Sequence, residues 1–402
     1  MHSIIMEQKE YRDRVLRSEA VKREAEAHLR KWIDTDLIKV IIGPRRAGKS
    51  WLAIRGAGKD AAYVNLDDER LVDQRFESIL RATREVYGNT RKIVIDEPQN
   101  IKNWAIAVNR LQREGKNVIV TGSNSKLLSS EMATYLTGRF VETVVLPFSY
   151  REFLQAKEGE PCAATLEEYM KTGGFPEVVV KGYDPQEYAT LLLEAGIVKD
   201  VIMRYRVKYP EAVKAIVRFI GRHAGKVLSM RGITTAAELG SVHTAKKYIS
   251  HLESAFLFTK IRQHTRERNI ERAPVKIYPY DTSFLQAYVD PEERRGVLLE
   301  TTVFLALLRA KKATQEIRFW KSKAGREVDF IIVENGIPKA AIQVAYELGT
   351  TSKSRELKAL EDAKKELGVK KRVIVTMMPE DVEGTTVAPA WEFVYDPVKF
   401  VQ

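Results

Sequence analysis

Gly43-Pro-Arg-Arg-Ala-Gly-Lys-Ser50 has the spacing of a phosphate-binding loop: a glycine, four residues, then Gly-Lys-Ser. Its glycines let main-chain N–H groups curl around phosphate oxygens, and a following helix amino terminus adds positive dipole. Lys49 is placed to reach the β- and γ-phosphates of a nucleotide, and the Ser50 hydroxyl to coordinate Mg²⁺. Pro44, Arg45, Arg46 and Ala47 complete the loop between Gly43 and Gly48, and Trp51 follows in the helix. A second element suited to the same chemistry is Asp96-Glu97, which closes the apolar run Lys92-Ile-Val-Ile95. Asp96 would hold the metal through its shell, and Glu97 would orient and activate water for attack on the γ-phosphate. Another apolar run ends in Thr121-Gly-Ser-Asn124. Either Ser123 or Asn124 would hold the attacking water or sense the γ-phosphate, and the sequence does not rank them. Thr137-Gly-Arg139-Phe140 sets an arginine just before a further strand-like run.

These residues need a frame. Short apolar stretches at Leu37–Ile42, Ala61–Asn65, Lys92–Asp96, Asn117–Thr121 and Val141–Leu146 alternate with helical ones such as Ile101–Arg113. That alternation predicts an α/β fold with a parallel, helix-covered sheet. Residues 1–32 predict one exposed helix with a sparse apolar side at Val21, Ala25 and Leu29. From Ser149 to about Val207 the pattern is helical, interrupted at Gly173-Gly-Phe-Pro176. Helices over Ala212–Ala224, Thr234–Leu239 and His243–Ser254 precede strand-like stretches at Leu257–Gln263 and Ala273–Tyr280, the order of a winged helix-turn-helix. A helix over Leu298–Arg309 then leads to strands near Glu316–Trp320, Val328–Val333 and Ala340–Val344.

The charge is unevenly spread. Lys and Arg number 66 against 54 Asp and Glu, but Met203–Lys276 alone holds 16 of the basic and 5 of the acidic residues. Such a concentration suits a polyanion. A winged helix places its third helix in the DNA major groove, here carrying His243, Thr244, Lys246 and Lys247. The wing would carry Arg262, His264, Arg266, Arg268 and Arg272, with Arg218, Arg222 and Lys226 adding charge beside it. Such contacts give affinity with little sequence information. Winged helices also dock proteins, so both partner classes stay open.

Composition excludes other classes. One cysteine, Cys162, rules out an intrachain disulfide and a Cys-rich metal site, and six scattered histidines lack metal-ligand spacing. No apolar run approaches the ~18–20 residues of a membrane span. Met1–Arg12 mixes charged residues and lacks a signal-peptide apolar stretch, so a cytoplasmic location and no membrane partner are expected.

Taken together, Gly43–Ser50, Ile95-Asp-Glu-Pro-Gln99, Val120-Thr-Gly-Ser123, Thr137-Gly-Arg139, Leu146-Pro-Phe-Ser149 and Gly173-Gly-Phe-Pro176 resemble a family of AAA+ ATPases common in archaea and bacteria. Its members carry an appended carboxy-terminal region and are similar to STAND and origin-recognition ATPases. The resemblance covers nearly the whole chain. It implies a P-loop AAA+ five-stranded parallel sheet with a helical lid, ATP and Mg²⁺ as ligands, and Arg139 as an arginine finger that acts in trans in a homo-oligomer. In relatives a Gly-x-Pro approaches the nucleotide; Gly174 and Pro176 match it, with a plain helix break as the alternative.

The last stretch resembles a restriction-endonuclease-like α/β fold, in Glu300, Asp329 within Gly325-Arg-Glu-Val-Asp-Phe330, and Ile342-Gln-Val-Ala345. In that fold carboxylates hold Mg²⁺ and a lysine assists water attack. Here Gln343 and Ala345 stand at the acid and lysine positions, and Glu347 lies two residues on, so a degenerate domain that does not cut is expected. The expected domains are a core at 1–148, a lid at 149–207, a winged helix at 208–285 and the endonuclease-like domain at 286–402. Three functions remain: an ATPase coupled to DNA, with branched or fork DNA suggested by the resemblance; an ATP-driven switch for a protein partner; and a metal-dependent nuclease.

Overall fold

The computed structural model describes residues 1–71, 73–124, 138–265, 273–289 and 291–401. They form two compact units, 1–148 with 254–256, and 149–253 with 257–402. The three later domains expected from the sequence thus fall in one unit.

In the first unit five strands run parallel: β1 (Ile38–Ile42), β2 (Ala62–Asn65), β3 (Lys92–Asp96), β4 (Asn117–Gly122) and β5 (Phe140–Val144). Their spatial order is β2-β3-β4-β1-β5. All five residues of β1 are buried, as a central strand covered on both faces requires. Its neighbours, β4 and β5, are not its neighbours in sequence. The chain leaving β1 therefore opens at the carboxyl edge of the sheet, beside the ends of β3 and β4, where open α/β sheets bind ligands.

The single exposed helix expected over 1–32 is instead two, α1 (His2–Arg17) and α2 (Ala25–Arg30). α1 is not an exposed helix, for Ile4, Ile5 and Val15 are buried. Arg12 donates to the carbonyls of Lys59 at 3.2 Å and Ala61 at 2.6 Å, and Gln8 exchanges two hydrogen bonds with the Asn65 backbone. Polar side chains that bond to backbone at the sheet rim are invisible to an apolar-periodicity reading. Three further helices serve the site: α3 (Lys49–Ala57), α4 (Phe76–Tyr87) and α5 (Trp104–Arg113).

The second unit begins with helices at Tyr150–Lys157, Ala163–Thr172, Pro176–Lys181 and Pro185–Ala195. A capping box between Ser149 and Glu152 starts the first. Helices at Pro210–Arg222, Met230–Ala236 and Val242–Ser254 follow, then the antiparallel pair β6 (Phe258–Arg262) and β7 (Val275–Pro279). An isolated bridge joins Leu228 to Val275. The expected order of three helices and a hairpin is present.

A long helix, Pro291–Ala310, leads into a mixed sheet of order β12-β11-β10-β9-β8. Its strands are β8 (Gln315–Lys321), β9 (Glu327–Glu334), β10 (Ile337–Ala345), β11 (Lys371–Thr376) and β12 (Thr386–Pro389). Helix Thr350–Leu367 covers it, with Leu360 and Ala363 packed against Val328, Ile331 and Ile374. The hairpin is tied to this sheet: Gln263 bridges Phe319, and the His264 N–H donates to the Phe319 carbonyl at 2.6 Å. The boundary expected near 285 therefore crosses a backbone hydrogen bond.

Candidate nucleotide-binding site

The loop between β1 and α3 is shaped by two glycines, Gly43 and Gly48. A Cβ on Gly43 would lie 1.9 Å from the Val145 carbonyl oxygen. Gly48 has φ of +91°, a left-handed conformation at the amino end of α3. Arg46, with φ of +62°, adds a second left-handed turn between them. This alternation of turns aims successive N–H groups into one concavity. Lys49 is only 6% exposed and its ammonium donates to the Pro44 carbonyl at 2.8 Å, so the charge is folded over its own loop. Ala47 and Pro44 are buried, and Ser50 and Trp51 half-buried. The Trp51 indole bonds the Tyr11 hydroxyl from α1. Arg45 stands 3.9 Å from Asp67.

Asp96 and Glu97 meet this loop from the end of β3. Asp96 is 5% exposed and fixed by two hydroxyls: Tyr63 donates to Oδ2 at 2.9 Å, and Thr121 donates to Oδ1. Parallel register sets that pair, because Asp96 lies opposite Thr121 on β4. Glu97 has φ of +51°, a strained setting for a glutamate that turns its carboxylate out of the strand. Gln99 and the Ser123 N–H and hydroxyl donate to Glu97 Oε2, the latter two at 3.3 Å. Burial raises the Glu97 pKa above the usual carboxylate range; Lys49 opposes the rise and Asp96 adds to it. The motifs at 43–50, 96–97 and 123–124 thus converge, with Ser123 and Asn124 buried at the edge of β4. Of the two, the geometry ties Ser123 to Glu97.

The donor set fits a triphosphate and Mg²⁺: main-chain amides, one ammonium, the Ser50 hydroxyl and the Asp96 carboxylate. Arg139 lies elsewhere. It is exposed, and its carbonyl accepts from the Ile38 N–H at 2.9 Å, at the opposite end of β1 from the loop. At ~3.3 Å per residue, β1 separates the two by roughly 13 Å or more. Arg139 therefore does not reach its own chain's loop. Gly174 and Pro176 lie in the second unit, where the Gly174 N–H donates to Asp281 at 2.8 Å and Pro176 opens a helix.

Sequence reading missed Arg23, between α1 and α2. Its guanidinium donates to the carbonyls of Ala47 and Leu146, each at 2.6 Å, and lies over the Phe148 ring. A Cβ on Gly48 would come within 3.0 Å of Arg23 Nη1. Tyr63 was also missed. No local signal marks either one, since their partners are far away in sequence.

Of the expected nucleic-acid contacts, Arg218, Arg222, Lys226, His243 and Lys247 are exposed, and Thr244, Lys246, Arg262 and His264 are half-buried. Lys226 is paired with Glu293 at 2.7 Å. Arg266, Arg268 and Arg272 lie outside the described residues. Around the expected endonuclease-like frame, Glu300 and Asp329 do come together, and Gln343 accepts from the Asp329 N–H at 3.3 Å. Ala345 ends β10, and Glu347 follows it. Among the described residues no group of three or more His, Cys, Asp or Glu is arranged to hold a metal ion, and no helix is long and apolar enough to cross a membrane.

A family model described as an AAA domain matches residues 35–154, and two described as domains of unknown function match 163–294 and 295–393. An uncharacterized protein of Methanocaldococcus jannaschii is 30% identical over 376 residues, covering 87% of this chain and 84% of its own. An uncharacterized protein of Haemophilus influenzae is 30% identical over 339 residues, covering 76% of this chain and 84% of its own. Among solved structures, a Walker-type ATPase of Pyrococcus abyssi aligns at a TM-score of 0.45 and 15% identity, over 68% of this chain and 97% of that one. The Thermotoga maritima RuvB Holliday junction branch migration motor aligns at 0.33 and 13%, over 61% and 93%. With its parallel sheet and phosphate-binding loop in the stretch that the AAA-domain model matches, the chain belongs to the family of the Methanocaldococcus protein and carries a P-loop domain of the AAA type.

Proposed function

We propose that the chain is a Mg²⁺-dependent ATP phosphohydrolase that couples nucleotide turnover to engagement of DNA. The observation that carries the hydrolytic half is the convergence of Glu97 on the loop, turned out of its strand and held by Ser123. The loop amides and Lys49 bind the β- and γ-phosphates. Ser50 and Asp96 would hold Mg²⁺, which screens phosphate charge when bound. Glu97 accepts a proton from water as the water oxygen bonds the γ-phosphorus. The bond from the γ-phosphorus to the bridging oxygen breaks, leaving ADP and inorganic phosphate. Arg139 acts from a neighbouring copy, where it neutralises transition-state charge.

The DNA half rests on the cations of helices 210–222 and 242–254 and of β6. About five phosphate contacts would give a log–log salt slope near −4.5. ATPase rate measured with and without single-stranded, duplex and branched DNA, alongside a salt titration of DNA binding, tests it. No binding at ~50 mM salt and no change in rate would remove DNA from the proposal. That outcome would favour the second reading, an ATP-driven switch with a protein partner. Exposed Leu191, Val198 and Met203 in the helical run 185–203 speak for it.

A further inference from the structure

A lysine of the hairpin is among the most deeply buried charges of the second unit. Lys276, in β7, is 1% exposed. Its ammonium lies 3.0 Å from Glu300, 2.8 Å from Glu327 and 3.0 Å from Asp329. Those carboxylates come from helix 291–310 and from β9, so three separate elements meet at one nitrogen. Tyr278, on the same face of β7, donates to Glu300 Oε1 at 2.7 Å. Asp329 Oδ2 accepts the Val344 N–H at 3.0 Å from β10. Gly225 closes the far side, since a Cβ there would sit 3.0 Å from Glu300 Oε2.

Burial works against the Lys276 charge, yet Asp329, Glu300, Tyr278 and Glu327 raise its pKa well above the ordinary range. The ammonium is thus a fixed cation: it donates to Glu300 and to Asp329, and Glu327 completes the set as an ion pair at 2.8 Å. A helix acid plus carboxylates on the adjoining strand is also the way a divalent ion is caged. Ca²⁺ takes oxygens at about 2.3–2.6 Å, a few tenths shorter than the distances to this nitrogen.

We propose that Lys276 is a built-in cation that takes the place of a divalent ion among Glu300, Glu327 and Asp329. It closes the last domain to metal and latches the β6–β7 hairpin to that domain through charge. The domain is then a scaffold with a permanently filled centre, and hairpin and sheet move as one body. This reading is independent of the ATPase assignment, because it concerns only residues of the second unit.

The test uses the full chain without nucleotide. Lys276→Met leaves the buried Asp329 and the half-buried Glu300 and Glu327 without their cation, and its melting temperature falls by about 10 °C. Millimolar Ca²⁺ restores much of that loss in Lys276→Met and shifts neither the wild type nor a Lys276→Met/Glu300→Gln/Asp329→Asn variant. The triple variant, with the charge conflict removed, melts within a few degrees of wild type. Mn²⁺ binding to the wild type, read by electron paramagnetic resonance, is unchanged by Asp329→Asn. Three results overturn the proposal: a wild-type melting temperature in Lys276→Met, Mn²⁺ binding to the wild type that Asp329→Asn abolishes, or a Ca²⁺ shift equal in all three proteins. Should Lys276→Met fail to fold, the triple variant decides. Folding supports the charge role, and failure shows that the lysine acts by packing and overturns it.

Discussion

Replacing Glu97 by glutamine separates binding from chemistry. The amide side chain has the same shape and keeps an oxygen that Ser123 can donate to, so the 3.3 Å contacts at the end of β4 survive. What disappears is a carboxylate able to take a proton from water. General-base catalysis contributes typically 10²–10⁴-fold, so turnover falls by that factor, or about 3–5 kcal/mol in barrier. Nucleotide affinity does not fall. Asp96 raises the Glu97 pKa, which means two negative charges are held near each other beside the place of a polyanion. Removing one relieves repulsion, so ATP binds equally or more tightly. The assay pairs phosphate release with titration of a fluorescent ATP analogue. The wild type should also show an acid limb. A base must be unprotonated, and burial lifts the Glu97 pKa above its usual value of 4.5, so activity is lost as pH falls through that raised value. Phosphate release in Glu97→Gln within threefold of wild type would refute the assignment.

Three further changes follow from the geometry. Lys49→Ala removes the only ammonium in the loop's donor set, so nucleotide titration should give no saturable signal at concentrations that fill the wild type. Arg23→Ala deletes the brace between Ala47 and Leu146 and should raise the dissociation constant for ATP about tenfold, while turnover at saturation stays near wild type. An unchanged binding curve would make the brace irrelevant. Glu300 supplies a pH signature. Burial raises its pKa from 4.5 to about 7, and Lys276 only partly opposes this. A raised acid stabilises the folded chain fully below about 4.5 and loses that contribution as pH rises through 7. The shift corresponds to about 3 kcal/mol, roughly 5–10 °C in melting temperature, which Glu300→Gln should flatten. Parallel pH–melting curves for the two proteins would sink it.

The first unit was legible because its information is local. Buried parallel strands are continuous apolar runs, and all five were found within two residues of their ends. The loop was legible because its chemistry lies in eight consecutive positions. The braces were not. Thr121 reaches Asp96 only because β3 and β4 run in register, and Tyr63 reaches it from β2, 33 residues earlier. Arg23 touches carbonyls 24 and 123 residues away. The first helix was misjudged for a related reason: Arg12 and Gln8 count as solvent-facing in any hydropathy pattern, yet they seal the sheet rim. Lys276 is the hardest case. Within Val275-Lys-Ile-Tyr-Pro279 it looks like the outer face of a wing, but all five positions are buried. A charge in a strand with no exposed face is the one sequence-level hint, and it becomes readable only once that burial is known.

That inversion changes the meaning of the basic segment. Composition counts charges without giving their direction. Of the excess in 203–276, Lys276 points inward at three acids, Lys260 pairs with Glu253, Lys214 with Glu211, Lys226 with Glu293 and Arg204 with Asp200. The exposed pairs among these, Lys214 with Glu211 and Lys226 with Glu293, add little stability, but each pair offsets a charge that would otherwise face a polyanion. Among the described residues of the segment, Arg206, Lys208, Arg218, Arg222, Arg231 and Lys247 remain exposed. The field of these cations is screened within about 8–10 Å at physiological salt. Strong DNA binding by this unit would therefore need close fit as well as charge. A salt slope near −4.5 combined with discrimination between branched and linear duplex is the pattern that such an arrangement of charges demands.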